Sequence, residues 1–263
     1  MTTHCSPTNS NNYLRVSSIS DFLICPLRLW LKVKTKVPAP STLEMVKGRF
    51  LHQIKHEINE ATNQATAESL SQIIDSFSES VKPYLEIFNF DEDFLNNYIM
   101  EEVWKDWGMK QKGIKIITEL PLKSETLKVS GRADRVEFFN GFVWVWELKT
   151  TNGSAKIKEY HKLQLATYAL MIEEEYDLPV RKGFVEFVND QNKTIAPVLL
   201  DDKIKSKAKE VIVHIHLLLS NSQPPSQYAN TVWGCKSCPN EITKMCPLWK
   251  KITEEHNTLC LKR

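Results

Sequence analysis

The spacing of apolar residues divides the chain into a helical first part and a mixed second part. Up to about residue 110 the apolar positions recur every three or four residues, which is typical of amphipathic helices. The stretch from Ser18 to Asp21 has the form of a capping box and predicts the start of a short helix that carries Trp30. A second helix is predicted over 42–61. Residues 65–110 are predicted to be largely helical, with a break near Pro83.

From residue 114 onwards the apolar period approaches two, which is typical of half-buried strands. Strands are predicted at 114–121, 127–139, 142–149, 181–188 and 193–200, and helices at 155–176 and 202–220. Pro224 and Pro225 separate the last helix from a cysteine-rich tail. This order predicts a mixed α/β core with a helical insertion before it.

The charges are distributed unevenly, although the net charge of the 263 residues is only +2. Residues 67–102 carry nine acidic residues against Lys82 alone, and residues 203–263 carry ten lysines or arginines against four acids. The basic terminal regions suit a groove for a polyanion, but such runs are also the ordinary pattern of solvated helix faces. Both interpretations remain open at this point.

The chain shows no apolar stretch that would direct it to a membrane. Its first residues are polar, and the longest apolar run, 211–219, is interrupted by His214 and His216. A bilayer-spanning helix needs roughly 18 or more apolar residues. We therefore expect a cytoplasmic protein that does not bind membranes.

Asn140-Gly141 predicts the tip of a β-hairpin. This dipeptide, between two β-rich runs, favours a two-residue turn that fixes the register of the flanking strands. Phe139 then pairs with Phe142, Phe138 with Val143, Val136 with Val145, and Asp134 with Glu147. Lys149 projects from the same face as Glu147. Two facing carboxylates are destabilising unless a positive charge lies between them, so the hairpin predicts a cation site.

The residue types at this predicted site suit phosphodiester hydrolysis. Carboxylates are the ligands that Mg²⁺ and Mn²⁺ prefer, and Lys149 is placed to orient water or to stabilise a phosphate. His52, on the second predicted helix, could add a nitrogen ligand that favours Mn²⁺. Gln164 and Tyr168 share a face of the following helix and could hydrogen-bond to Lys149, to water or to a phosphate. The alternative is a surface ion pair of an aspartate, a glutamate and a lysine, with a histidine that binds no metal.

The cysteines favour metal binding over disulfides. There are six of them without a secretory signal, and a Cys-x2-Cys-x7-Cys run lies near the C-terminus. The cysteines of this run are Cys235, Cys238 and Cys246, and three cysteines, those at 25, 238 and 246, precede proline. Cys5 and Cys260 lie in predicted tails. By spacing alone, a zinc site and an iron–sulfur cluster both remain possible.

Several motifs together resemble a known nuclease family. They are Gly48-x3-His52, Gly131-Arg-Ala-Asp134, Glu147-Leu-Lys149, Gln164-x3-Tyr168, Cys25-Pro and the C-terminal cysteine run. In order and spacing they resemble the CRISPR-associated RecB-like exonucleases, the fourth Cas protein family, which belongs to the PD-(D/E)xK nuclease superfamily. The resemblance covers roughly residues 15–250, except for the acidic helical segment.

The resemblance implies a fold, an activity and a set of site residues. The implied fold is a restriction-endonuclease-like α/β core, a mixed sheet flanked by helices, with an N-terminal helical region and a cluster-binding tail. The implied residues are metal ligands at His52, Asp134, Glu147 and the Leu148 carbonyl, a catalytic lysine at Lys149, accessory residues at Gln164 and Tyr168, and ligands of a 4Fe-4S cluster at Cys25, Cys235, Cys238 and Cys246. With Mg²⁺ or Mn²⁺ bound, such a protein would trim single-stranded DNA ends and process spacer precursors.

The implied partners are DNA, the CRISPR integrase and other adaptation proteins. One alternative is a RecB-like nuclease of recombination, repair or a mobile element, outside any CRISPR locus. Another is a non-catalytic iron–sulfur adaptor of the integrase. We expect residues 1–263 to form a single nuclease domain, with a cluster-binding helix (13–40), a helical region (41–112), a nuclease core (113–222) and a cysteine-rich tail (223–263).

Overall fold

The protein is an α/β structure in which the predicted elements occur in the predicted order. The computed structural model describes residues 13–36, 42–151, 155–226, 238 and 240–246. The helices are α1 (Ser18–Ile24), α2 (Pro26–Thr35), α3 (Leu43–Thr62), α4 (Leu70–Phe88), α5 (Glu92–Gln111), α6 (Glu159–Tyr176), α7 (Asp202–Ser220) and α8 (Asn240–Met245). The strands are β1 (Leu14–Arg15), β2 (Lys115–Ser124), β3 (Val129–Phe139), β4 (Phe142–Thr150), β5 (Lys182–Val188) and β6 (Lys193–Leu199).

A mixed sheet of six strands carries the fold. Strands β2, β3 and β4 form an antiparallel meander, β4 and β5 are parallel, and β5 and β6 are antiparallel. The parallel pair needs a crossover connection, and α6 provides it. The short β1 runs parallel to the start of β3, with Leu14 opposite Val129. Strand β3 therefore has β2 along one edge, whereas its other edge pairs with β1 at one end and with β4 at the other.

The main hydrophobic core lies between one face of the sheet and helices α1, α6 and α7. Helix α6 contributes seven of its residues to this core, because the crossover helix packs between the sheet and α7. On β4 the alternate residues Val143 and Val145 point into this core. Glu147 is the next residue of β4 with the same orientation, and it lies at the edge of the core beneath α6.

A second core joins helices α3, α4 and α5, and it contacts the opposite face of the sheet through Leu148 and Val188. Charged side chains are buried where α3 and α5 meet that face. Lys55 contacts Glu186 at 2.5 Å and Glu102 at 3.1 Å, and Arg135 contacts Asp106 at 2.5 Å. Glu102 belongs to the acidic segment 67–102, for which a solvated helix face was one interpretation. Eight of its nine acids are exposed, as that interpretation predicts, whereas Glu102 is buried.

The predicted break near Pro83 is wrong, because α4 continues through this residue to Phe88. Pro83 lies on the solvent-exposed side of the helix, where water can satisfy the carbonyl that its ring leaves without a helical hydrogen bond. The helix ends instead at Asn89, which adopts a left-handed conformation with φ of 53°. Asp91 then caps α5 by accepting a hydrogen bond from the Phe94 N–H at 2.7 Å.

The single predicted N-terminal helix is also corrected, since the structure contains two helices, α1 and α2, separated by Cys25. Cys25 is extended, with φ of −163°, because Pro26 disfavours the helical conformation in the residue before it. The predicted capping box does not form: Ser17 is the N-cap of α1 and makes no side-chain capping hydrogen bond.

The start of α6 and the end of β2 also differ from the prediction. Helix α6 begins at Glu159 rather than at 155, because Lys158 is extended and its N–H is capped by the ring of His161. Strand β2 continues past Pro121 to Ser124. Proline is tolerated there because its ring is exposed on a strand that, among the described strands, pairs with β3 alone. Within the described part of the chain, no helix has the length and apolar character required to cross a membrane.

Candidate metal centre and active site

Strands β3 and β4 separate at the point where the sequence placed Asp134 opposite Glu147. The predicted pairs Phe139–Phe142, Phe138–Val143 and Val136–Val145 are present, which confirms the register set by the Asn-Gly turn, but the fourth predicted pair, Asp134–Glu147, does not form. The ladder ends one pair later, at Arg135 and Trp146. Beyond it, the Asp134 Oδ2 accepts a hydrogen bond from the Leu148 N–H at 2.7 Å. A side chain thus takes the place of the next backbone pair and opens the strands into a fork.

A second strand brings another carboxylate to this fork. Glu119 of β2 lies between Thr118, which pairs with Arg135, and Leu120, which pairs with Ala133, so it stands opposite Asp134. Its φ is 53°, a left-handed conformation that costs a non-glycine residue roughly 1–3 kcal/mol and that clusters at functional sites. The kink directs the Glu119 carboxylate towards α3.

His52 completes a group of three possible metal ligands with Glu119 and Asp134. Its Nδ1 lies 3.2 Å from the Glu119 Oε1 and 3.7 Å from the Asp134 Oδ1, and one ligand atom of each residue lies within 4.8 Å of the others. Octahedral ligands at about 2.1 Å from an ion are separated by about 3.0 Å in cis and about 4.2 Å in trans. These two distances fall in this range, so His52 can share one octahedral cation with either carboxylate.

The electrostatics of the three residues follow from their mutual contacts. Burial opposes the charged form of His52, but the Glu119 hydrogen bond and the Asp134 charge together raise its pKa above the ordinary value. The hydrogen bond from His52 lowers the pKa of Glu119. Burial raises the pKa of Asp134, although His52 and Lys149 oppose this effect. A cation bound here would stabilise the buried charge of Asp134, and it would compete with a proton for His52.

Glu147 and Lys149 form an ion pair beside the fork. The Lys149 Nζ lies 2.5 Å from the Glu147 Oε1. Burial opposes the charge of Lys149, but the carboxylates of Glu147 and Asp134 raise its pKa above the ordinary value. The other Glu147 oxygen, Oε2, is buried and has no hydrogen-bond partner among the described residues. A buried carboxylate oxygen without a donor is a candidate ligand atom.

Helix α6 covers this pair with the two predicted accessory residues. The side-chain oxygen of Gln164 is buried and, among the described residues, has no hydrogen-bond partner, so it can accept from a ligand. Tyr168 does not contact Lys149 through its hydroxyl, which instead donates to the Arg132 carbonyl at 2.8 Å. The Tyr168 ring also packs against Gly131, where a Cβ atom would lie 3.0 Å from Cε1. Tyr168 therefore fixes the backbone of β3 just before Asp134.

The described cysteines meet in a small apolar cluster between α2 and α8. Cys25, Cys238 and Cys246 contact a group that includes Leu27 and Ile242. The Cys25 sulfur also accepts the Arg28 N–H at 3.4 Å, at the N-terminus of α2. Three of the four predicted cluster ligands thus come from distant parts of the chain to one place. The fourth predicted ligand, Cys235, lies outside the described residues, as do the tail cysteines at 5 and 260.

The structure places most of the predicted site residues around the fork, and it adds one that the sequence analysis missed. His52, Asp134, Glu147 and Lys149 lie on three different elements that converge there, and Leu148 lies in β4 between the two charged residues. Glu119 was missed because its role depends on a kink and on strand pairing. The available signal was a glutamate inside a predicted strand, at a position that a β2–β3 hairpin would place opposite Asp134.

Comparison with known proteins gives a broad family match and distant similarities to solved structures. A family model described as the PD-(D/E)XK nuclease superfamily matches residues 14–246. No curated protein matches the chain. The crystal structure of SSO0001 has 17% sequence identity and a TM-score of 0.43, with 93% of this chain and 90% of that chain covered. A structure from Eubacterium rectale described as a "putative exonuclease" has 12% identity and a TM-score of 0.48, with 95% and 94% covered. The family match extends from β1 to the end of α8.

Proposed function

Since the chain belongs to the PD-(D/E)XK nuclease superfamily, we propose that it is a metal-dependent nuclease that hydrolyses the phosphodiester bonds of DNA. One observation carries this proposal. His52, Glu119 and Asp134 converge within 4.8 Å at the strand fork, beside the ion pair of the buried Glu147 with the half-buried Lys149. Carboxylates, an imidazole and a lysine in one partly enclosed site are the groups that metal-assisted phosphodiester hydrolysis requires.

The residues present fit a hard divalent cation. His52, Asp134, Glu147 and the Leu148 carbonyl would hold it, and we add Glu119 to this set. One imidazole nitrogen among oxygen ligands favours Mn²⁺ over Mg²⁺. When bound, the ion supplies Lewis acidity towards water and the scissile phosphate.

The remaining side chains orient water and balance charge. Lys149, a cation held 2.5 Å from Glu147, lies where it can hydrogen-bond to water and stabilise the negative charge that develops on phosphate. The side-chain oxygen of Gln164 can accept a hydrogen bond from the Lys149 ammonium group or from the water, which restricts the direction of attack. Tyr168 holds the β3 backbone through the Arg132 carbonyl and thus keeps Asp134 in place.

We further propose that the enzyme trims single-stranded DNA ends as an exonuclease and processes spacer precursors in CRISPR adaptation, together with the integrase. These finer assignments rest on the resemblance of the motifs, including the cysteines. A 4Fe-4S cluster held by Cys25, Cys235, Cys238 and Cys246 would join the N-terminal helices to the C-terminal segment. The contact of three of these cysteines with one apolar cluster supports this assignment. In this proposal residues 1–263 act as one nuclease domain.

The experiment that tests the activity is a time course on end-labelled single- and double-stranded DNA. The full chain is purified anaerobically and assayed with Mg²⁺, Mn²⁺ or EDTA. We expect stepwise shortening of single strands with either metal and none with EDTA. Lys149→Ala should abolish cleavage, whereas Lys82→Ala, which removes an exposed lysine of α4 paired with Glu79, should cleave like the wild type.

Two results would contradict parts of the proposal separately. Cleavage by Lys149→Ala at the wild-type rate would show that the site is assigned wrongly. Internal cuts in circular single-stranded DNA would show an endonuclease and would remove the exonuclease assignment, while leaving hydrolysis at this site intact.

A further inference from the structure

We infer that Arg132 is the phosphate-binding residue at the mouth of this site, and that it is released for that role when Glu119 takes up a cation. The inference rests on the proposed function, because it presupposes a nucleic acid substrate. It assigns a role to an arginine that is not among the proposed metal ligands.

The backbone that carries Arg132 is held on both sides. Its carbonyl accepts the Tyr168 hydroxyl at 2.8 Å. The preceding residue, Gly131, lies so close to its neighbours that a Cβ atom would be 2.7 Å from Val16 and 3.0 Å from Tyr168. Two residues further along the strand is Asp134. The Arg132 side chain therefore starts from a fixed point beside the metal centre, which reduces the entropy lost when it binds a ligand.

Arg132 and Lys149 occupy different depths of the same site. The Lys149 side chain is 34% exposed and is paired with Glu147, whereas the Arg132 side chain is 66% exposed. A substrate that approaches from solvent meets the guanidinium first. Because this group is planar and carries five donors, it can bind two phosphate oxygens at once. An arginine at the entrance also offsets the repulsion between DNA and the site's carboxylates.

Within the described part of the chain, Arg132 makes a single ion pair, and this pair is weak. Its Nη1 lies 3.4 Å from the Glu119 Oε2, with the guanidinium largely exposed and the carboxylate half-buried. The other oxygen of Glu119 lies 3.2 Å from the His52 Nδ1, so one carboxylate joins the arginine to the candidate ligand set. A cation bound by that carboxylate shares its negative charge and weakens its hold on Arg132. Metal binding and phosphate binding are then coupled through Glu119.

The test measures DNA binding by the full chain without relying on cleavage. Fluorescein-labelled oligothymidylates, each with one uncharged methylphosphonate linkage at a different position, are titrated by anisotropy in Ca²⁺ and in EDTA. For the wild type in Ca²⁺, we expect one linkage whose neutralisation weakens binding roughly tenfold, as expected for loss of a charged hydrogen bond. In Arg132→Ala, neutralising that linkage should not weaken DNA binding further. The slope of log K against log salt should fall in magnitude by about 0.7.

Two variants separate phosphate binding from other effects. Arg132→Lys keeps the charge but not the two-oxygen geometry, so it should retain the salt slope and lose part of the affinity. Lys82→Ala removes an exposed charge of α4 and should respond to every linkage like the wild type. The loss caused by Arg132→Ala should be smaller in EDTA, where Glu119 still holds the arginine.

Three outcomes would overturn the inference. If every methylphosphonate weakens wild type and Arg132→Ala equally, Arg132 does not contact phosphate. If Arg132→Ala changes Mn²⁺ affinity measured by calorimetry but not DNA binding, Arg132 only screens Glu119. In both cases the wild type would still cleave DNA, and the proposed function would stand. If the wild type neither binds nor cleaves DNA, both proposals fall.

Discussion

Replacing Gly131 with alanine tests whether the close contact among β3, Val16 and α6 keeps the metal centre in shape. The added Cβ would lie 2.7 Å from Val16 Cγ2 and 3.0 Å from Tyr168 Cε1, whereas ordinary contacts are 3.4–4 Å. The neighbours must therefore move by about 0.7 Å, which is overpacking of a kind that costs about 2 kcal/mol. For a chain of this size we expect the melting temperature to fall by about 4–8 °C.

The activity of Gly131→Ala should fall by more than the stability loss explains. If the Tyr168 ring moves, its hydroxyl loses the hydrogen bond to the Arg132 carbonyl. The β3 backbone then shifts at Arg132, two residues before Asp134. A displacement of about 1 Å at a reacting site can cost on the order of a hundredfold in rate. We therefore expect kcat/KM for DNA cleavage to drop roughly a hundredfold at a temperature well below the transition.

A matched glycine and a second-site change separate this effect from simple destabilisation. Gly183→Ala in β5 would place its Cβ 3.2 Å from three atoms, among them Leu165 Cδ1 and Leu200 Cδ1, away from the fork. It should lower the melting temperature without lowering kcat/KM. Val16→Ala removes the atom that the new methyl group approaches most closely, so the double variant Val16→Ala/Gly131→Ala should regain activity. The reasoning is refuted if the double variant is no more active than Gly131→Ala, or if Gly131→Ala melts and cleaves like the wild type.

Three further predictions concern stability and the cysteines. Arg135→Met should lower the free energy of unfolding in urea by about 3–5 kcal/mol. Arg135 lies 2.5 Å from Asp106 and 2.7 Å from Glu137, so its loss leaves both buried carboxylates unpaired. A loss under about 1 kcal/mol would contradict this. Cys238→Ser should yield a protein that lacks absorbance near roughly 400 nm and melts earlier, whereas Cys260→Ser should not; one zinc per chain in a colourless wild type would remove the cluster. Burial, with the charges of two nearby lysines, lowers the pKa of His161 from 6.5 to about 4, so the unfolded state binds more protons between these values and stability should fall as the pH drops from 6.5 to 4. His161→Gln should flatten that dependence in melting curves, and an unchanged slope would contradict the assignment.

The sequence predicted the hairpin and its register well because that information is local. Asn140-Gly141 fixes the turn, and the alternation of apolar residues along β3 and β4 then admits only one pairing. Asp134 and Glu147 reach the fork as a consequence of this register. His52 lies 3.7 Å from Asp134, although nothing in the local sequence indicates that α3 packs against β2 and β4.

The features that the sequence did not predict depend on distant parts of the chain. The left-handed backbone of Glu119 arises in a strand where glutamate has no preference for it, and only the packing of α3 shows what it approaches. Glu102 reads as one acid among nine, yet Lys55 of α3 and Lys193 of β6 make its burial possible. Pro26 indicates a break at Cys25, but the apolar pattern continues across this position and led to the prediction of one helix.

Strand β1 has a consequence for how the chain can be shortened. Only two residues long, it donates the Leu14 N–H to the Lys128 carbonyl at 2.9 Å, and the following Val16 N–H bonds to the Ser130 carbonyl at 3.0 Å. Removal of residues 1–16 would expose this part of the β3 edge, together with the apolar side chains that β1 covers. An uncovered strand edge is a template for pairing with another chain, so such a truncated protein should self-associate. We therefore expect the short strand β1 to protect the protein from aggregation by covering this edge of β3.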